Sequence, residues 1–167
     1  AAAQVGSTER EIANAMMSRL LALGADESAF CVLGAGQNVQ YTHAAPGPKK
    51  IGEGEIVRVD FGGRFDGYYS DVARPAVGGK PTRRQRDLYR TLREIQRETI
   101  AQMVPGVRAA DVFNYCVTAF EARGLAFSMP HIGHGLGIGL HDYPMIEPGS
   151  ESELKAGMVI NIEPIYA

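Results

Sequence analysis

Hydrophobic and polar positions along this chain switch between helical and strand-like spacing, and the switches divide it into segments. A stretch rich in Ala, Met and Leu follows Thr8 and Glu11, a capping-box pair, and runs to Gly24. That grammar predicts a helix over about 8–23. Residues 29–33 read as a short buried strand, followed by a loop at Gly34-Ala35-Gly36-Gln37-Asn38. Residues 56–61 and 68–73 are strand-like and are joined by the turn-rich 62–67, which predicts a hairpin. Apolar positions at Leu88, Leu92, Ile95 and Ile100 predict a long helix over 82–103, stopped before Pro105. A further helix over about 109–123 ends at Gly124, and an apolar strand closes the chain over 158–163.

The two capped helices resemble one another. A shift of 100 residues superimposes Gly6 on Gly106, Asn14 on Asn114, Ala22 on Ala122 and Gly24 on Gly124. Glu11 then falls on Asp111, Ile12 on Val112, Ser18 on Thr118 and Leu20 on Phe120. The pattern predicts a duplicated α/β domain over 1–167, with halves at about 5–104 and 105–167, each a helix followed by antiparallel strands. A cleft between related halves is a natural place for a shared site.

Composition narrows the function. The 167 residues are 45% hydrophobic and 22% charged with a net charge of -2, an ordinary globular balance. Arg83, Arg84 and Arg86 are followed by Asp87, which reads as a solvated helix start; no contiguous basic face predicts a nucleic-acid partner. No apolar run approaches the roughly 18 residues of a membrane span. The N-terminal residues carry no signal-peptide pattern. Cys31 and Cys116 both lie between apolar neighbours and read as buried thiols, so a cytoplasmic location is expected.

Candidate chemistry lies in three places. Asp60 closes VRVD and Asp71 lies eleven residues on, so a hairpin would set the two carboxylates side by side. Two such carboxylates repel unless a cation or a shared proton lies between them. HIGHGLGIGLH, from His131 through His134 to His141, packs three histidines among four glycines. Glu163 follows the apolar run 158–162. Three carboxylates and a histidine make an oxygen-rich set suited to Mn, Co, Fe or Zn.

Taken together, VRVDFGGRFDGYYSDVAR, HIGHGLGIGLHDYP and GMVINIEP resemble, in order, the signatures of the pita-bread metallopeptidases. GYYSDVAR followed by VGGKPTRRQRDLY is most similar to the Xaa-Pro branch, aminopeptidase P and prolidase. The resemblance implies an α/β (α+β) pita-bread fold of pseudo-two-fold duplicated halves. It implies two divalent ions, Mn or Co first with Zn or Fe as alternatives. Asp60 would chelate the first ion, Asp71 would bridge both, and His134 and Glu163 would bind the second. His141 would contact the scissile amide and the developing tetrahedral intermediate. His43 would line the substrate pocket and His131 would be a further pocket histidine.

The function so implied is metal-dependent release of an N-terminal residue from Xaa-Pro peptides. The alternatives are a metal-free binding module of the same fold and a creatinase-like hydrolase of small amides. A peptide is the expected partner, a membrane is not, and a homodimer is compatible with the reading. The family completes its site with a second glutamate on the strand after Glu163, whereas this chain stops at Ala167. The ordered part of a longer protein is therefore expected first, with a fragment truncated at both ends and a naturally short protein as the alternatives. A chain ending there is expected to bind metal weakly. No arginine follows closely after His141, which argues against a strict dipeptidase.

Overall fold

The computed structural model describes residues 4–166 and contains two compact units that divide at Arg83/Arg84. In the first, helix α1 (Glu9–Ala22) begins as its sequence predicts. Thr8 Oγ1 accepts the Glu11 N–H at 3.1 Å, and the Glu11 carboxylate accepts the Thr8 N–H at 2.7 Å. Two of the orphan donors of the first turn are thereby satisfied. Strands β1 (Glu27–Ala35), β2 (Ile56–Phe65), β3 (Tyr68–Tyr69) and β4 (Val72–Val77) form an antiparallel sheet. β2 is central, with β1 on one side and β3 and β4 on the other. Ile12 and Ala13 of α1 pack with Leu33, Ala35, Ile51 and Val57 to form the core.

Several strand boundaries differ from those the sequence predicts, and two of the differences shape the first unit. β1 continues to Ala35 because Gly34 and Ala35 pair with Arg58 and Val57, and the expected loop becomes a 3-10 helix over Gly36–Gln40. β2 passes straight through Gly62-Gly63, so the turn of the hairpin is only Asp66-Gly67. Both turn residues have positive φ, +51° and +83°, as a two-residue hairpin requires. Gly62 marks a close approach of strands: a Cβ there would lie 1.9 Å from the Ser70 carbonyl oxygen.

The second unit holds helices α2 (Arg83–Ala101) and α3 (Ala109–Glu121), and strands β5 (Gly133–Gly135), β6 (Asp142–Ile146) and β7 (Ile160–Ile162). Its antiparallel sheet has the order β6-β5-β7. The core gathers Ile95, Val112, Cys116, Phe120, Ile132, Ile146 and Ile162. Phe127 meets the rings of Phe113 and Phe120 edge-on, with centroids 5.8 and 5.0 Å away. α2 is counted with the first half by sequence order, yet its packing belongs here. Ile95 is fully buried in this core, and Gln96 donates to the Ile162 carbonyl at 2.6 Å. β5 and β6 carry no apolar alternation that would announce them as strands. Among the described residues no helix is long and apolar enough to cross a membrane.

The sequence repeat is matched by corresponding backbone hydrogen bonds. Gly6 N–H donates to Ile51 O at 2.9 Å, and Gly106 N–H to Leu154 O at 2.8 Å. Ile51 N–H returns to Ser7 O and Leu154 N–H to Val107 O, at 2.9 and 2.8 Å. After the helices, Ala25 and Leu125 donate to Leu20 and Phe120. Leu33 pairs with Val59 in the first unit as Gly133 pairs with Ile162 in the second, so β5 corresponds to β1 and β7 to β2. Glu163 therefore stands where Asp60 stands, and His134 stands where the first unit has Gly34.

Candidate active site

In the first unit the site residues are set by register. Asp60 pairs with Ala73 and Phe61 with Val72. The ladder continues through Ser70, whose N–H donates to Gly63 O at 2.9 Å, so Asp71 lies opposite Gly62. Residues two apart on a strand share a face. Asp60 and Asp71 are thus diagonal neighbours on one face of the sheet, and both are half-buried. The expected loop of five or six residues is replaced by the two-residue turn, yet the carboxylates still share a face. Asp60 lies mid-strand, not at a strand end. Burial, and then the nearby negative charge of Asp60, pushes the Cys31 thiol up.

Ser70 was not legible as a contributor. Its Oγ accepts the Gly63 N–H and donates to the Gly63 carbonyl, both at 3.1 Å, which ties the residue before Asp71 to β2. A serine beside the aspartate was the only available signal, and turn-rich segments carry many serines.

His43 is exposed and follows the 3-10 helix. The carbonyls of the two residues before it, Tyr41 and Thr42, accept hydrogen bonds from Arg58 Nη2.

In the second unit His134 is fully buried at the centre of β5. Its Nδ1 lies 2.9 Å from Gly135 O. A carbonyl can only accept, so Nδ1 carries a proton, and in the neutral ring Nε2 presents its lone pair. Nε2 lies 3.4 Å from Glu163 Oε1. Two lone-pair atoms at that separation call for a cation or a proton between them. Glu163 is held in place by its own backbone, whose N–H donates to Ile132 O at 2.8 Å. Because His134 pairs with Asn161, Glu163 is diagonal to it, as Asp71 is to Asp60.

His141 meets the His134 ring edge-on, with centroids 4.3 Å apart. The glycine-rich turn before it is tied down by Asp142, whose Oδ2 accepts the Gly139 N–H at 3.0 Å. His131 is half-buried ahead of β5, and its Nδ1 has no hydrogen-bond partner among the described residues. The structure thus brings His134, Glu163 and His141 together in one unit, and Asp60 with Asp71 in the other. Imidazole nitrogen beside carboxylate, with the ring oriented by a backbone carbonyl, is a donor set that fits a divalent ion.

The sequence model of metallopeptidase family M24 matches residues 1–167. This chain belongs to metallopeptidase family M24. The M24 chain is 32% identical over 161 residues to an Xaa-Pro dipeptidase of Pyrococcus furiosus, covering 95% of this chain and 46% of that relative. Its fold matches the prolidase from Pyrococcus furiosus with a TM-score of 0.92 at 31% identity, covering 99% of this chain and 50% of that one. A methionine aminopeptidase from Thermotoga maritima matches with a TM-score of 0.83 at 28% identity, over 95% of this chain and 68% of that one. The fold is the pita-bread fold of these peptidases, on the prolidase branch, and divalent metal ions belong to the family's chemistry. The chain spans about half the length of the curated relatives it matches.

Proposed function

We propose that this M24 chain carries the catalytic residues of a cytoplasmic, metal-dependent peptidase that releases the N-terminal residue from Xaa-Pro peptides. The observation that carries the reading is the pair His134 Nε2 and Glu163 Oε1, 3.4 Å apart with the imidazole proton committed to Gly135 O. Asp60, Asp71, His134 and Glu163 would hold two divalent ions, Mn or Co. Bound there, such ions would acidify a water to a hydroxide nucleophile near neutral pH and polarise the peptide carbonyl.

The remaining work falls to side chains. Asp60 and Asp71 supply the negative charge that retains divalent ions. His134, locked by Gly135, keeps its lone pair aimed without a rotameric search. His141 would donate to the oxygen that becomes negative in the tetrahedral transition state, an interaction that is stronger there than in the ground state. His43 and His131 would contact the substrate. The Xaa-Pro preference is supported by relatives that are Xaa-Pro dipeptidases and by a prolidase as a structural neighbour.

The test is made on the full-length protein, reconstituted with Mn or Co after chelation and offered an Xaa-Pro dipeptide, a longer Xaa-Pro peptide, creatine and an acyl-amide. Metal-dependent release of the first residue from the longer Xaa-Pro peptide is expected. Fewer than about one tightly bound metal equivalent, or turnover of creatine or the amide alone, would refute the reading.

A further inference from the structure

The deepest acidic side chain of the first unit belongs to none of the roles above. Glu9, the first residue of α1, is 1% exposed, and its carboxylate faces the chain segment that follows β1. Oε1 accepts the Ala35 N–H at 2.8 Å and the Asn38 Nδ2–H at 2.9 Å. Oε2 accepts the Gly47 N–H at 3.0 Å. Residues 35 and 47 are the two ends of one loop, and His43 lies between them. The carboxylate therefore closes that loop at its base and grips the 3-10 helix inside it.

Arg58 holds the same loop further out. On β2, two residues from Asp60 and on the same strand face, it donates to the carbonyls of Tyr41 and Thr42 immediately before His43. Tyr41, Thr42 and His43 are all exposed, and only Ala44 beside them is buried, its carbonyl accepting the Leu33 N–H at 3.1 Å, so apolar packing alone does not decide where they sit. Polar anchors do.

The duplication gives an internal control. Glu9 N–H donates to Lys49 O at 2.9 Å, and at the corresponding position Ala109 N–H donates to Ser152 O at 2.8 Å. Ala109 is equally buried and has no side-chain polar group. Helix start and strand contact thus form without a carboxylate there. Burying one is unfavourable unless hydrogen bonds compensate it, and the loop's donors are what compensate it here.

We propose that Glu9 is a positioning residue for the substrate pocket, fixing His43 through the loop it closes, with Arg58 as the outer anchor. The proposal rests on the functional reading above, in which His43 meets substrate. Glu9→Gln keeps the shape but replaces one acceptor with an amide that faces a donor.

In the full-length enzyme, Glu9→Gln should raise KM for an Xaa-Pro peptide about tenfold, leave kcat within about twofold, and leave metal content unchanged. The same change made in a His43→Ala background should have no further effect on kcat/KM, because the residue acts through His43. An equal fold-loss in both backgrounds would overturn the proposal, since a purely structural contribution adds. Should Glu9→Gln fail to fold, Asn38→Ala removes one anchor and is read in the same cycle. Amide hydrogen exchange over residues 36–46 gives a reading that needs no activity. Faster exchange there in the variant supports the anchor, and unchanged exchange overturns it even if the parent enzyme cleaves no Xaa-Pro peptide.

Discussion

His134 Nε2 and Glu163 Oε1 face each other across 3.4 Å, and the imidazole proton is already engaged by Gly135 O on the other side of the ring. Neither atom of the facing pair brings a hydrogen if the histidine is neutral. A cation satisfies both. His134→Ala should therefore lower metal affinity by about two orders of magnitude or more, exceeding the effect of losing an outer-shell partner. Titration calorimetry with Mn or Co on the full-length protein reads this directly.

Metal should also stabilise the fold by mass action. At a free concentration one hundred times its Kd, a bound ion adds about 2.7 kcal/mol to unfolding. Thermal unfolding with and without Co should show the rise in Tm, and Asp60→Asn should abolish most of it. A similar rise in the variant would remove Asp60 from the ligand set.

The hairpin that sets Asp60 beside Asp71 depends on a missing side chain. Gly62→Ala would place a Cβ 1.9 Å from the Ser70 carbonyl oxygen, so the segment between β3 and β4 that carries Ser70 and Asp71 must move. Overpacking of this kind costs about 1–3 kcal/mol. Metal binding should weaken together with stability, since Asp71 rides on the segment being displaced. Denaturant unfolding and metal titration of the same variant check both effects.

Acid should act on the first unit through two carboxylates, the exposed Glu11 and the half-buried Glu55. The Glu11 carboxyl is held below 4.5 by the Thr8 backbone N–H and then the Thr8 hydroxyl. Glu55 is held below 4.5 by the Lys49 ammonium and then the Gly52 N–H. Both pKa values are lower folded than unfolded, so the stability they contribute is present above about pH 4.5 and is lost as pH falls through the folded values. Amide protection at the start of α1, taken relative to the intrinsic exchange rate at each pH, should fall below about pH 4.5 and stay constant above it. Glu11→Gln should remove that acid response.

The core of the second unit offers a test of packing. Phe120 is fully buried and meets Phe127 edge-on. Phe120→Ala should cost about 3–5 kcal/mol, as cavity formation does for large aromatics. Cys116 in the same core is fully buried, and burial pushes its thiol up, so it should resist alkylation until the protein unfolds.

The amino-acid sequence by itself determined which residues are the candidates for the chemistry and where the helices begin and end. Thr8 with Glu11 and the glycines at 24 and 124 are local instructions, because a cap and a helix end are decided within a few residues. Asp60, Asp71, His134, His141 and Glu163 were nameable because their chemistry is rare in such strand and glycine settings. The repeat was legible too, because both copies need the same turns. Tertiary structure decided what depends on a distant partner. Gly62 and Gly63 read locally as a turn, but β1 and Ser70 keep them in β2. The proton on His134 is assigned by a backbone carbonyl, which no side-chain pattern encodes. Nothing local sets Glu9 apart from other first-turn acids, and only the fold brings it the amides of Ala35 and Gly47. Hydrogen bonds between segments far apart in sequence leave no local periodicity, so their partners emerge only when the chain is folded.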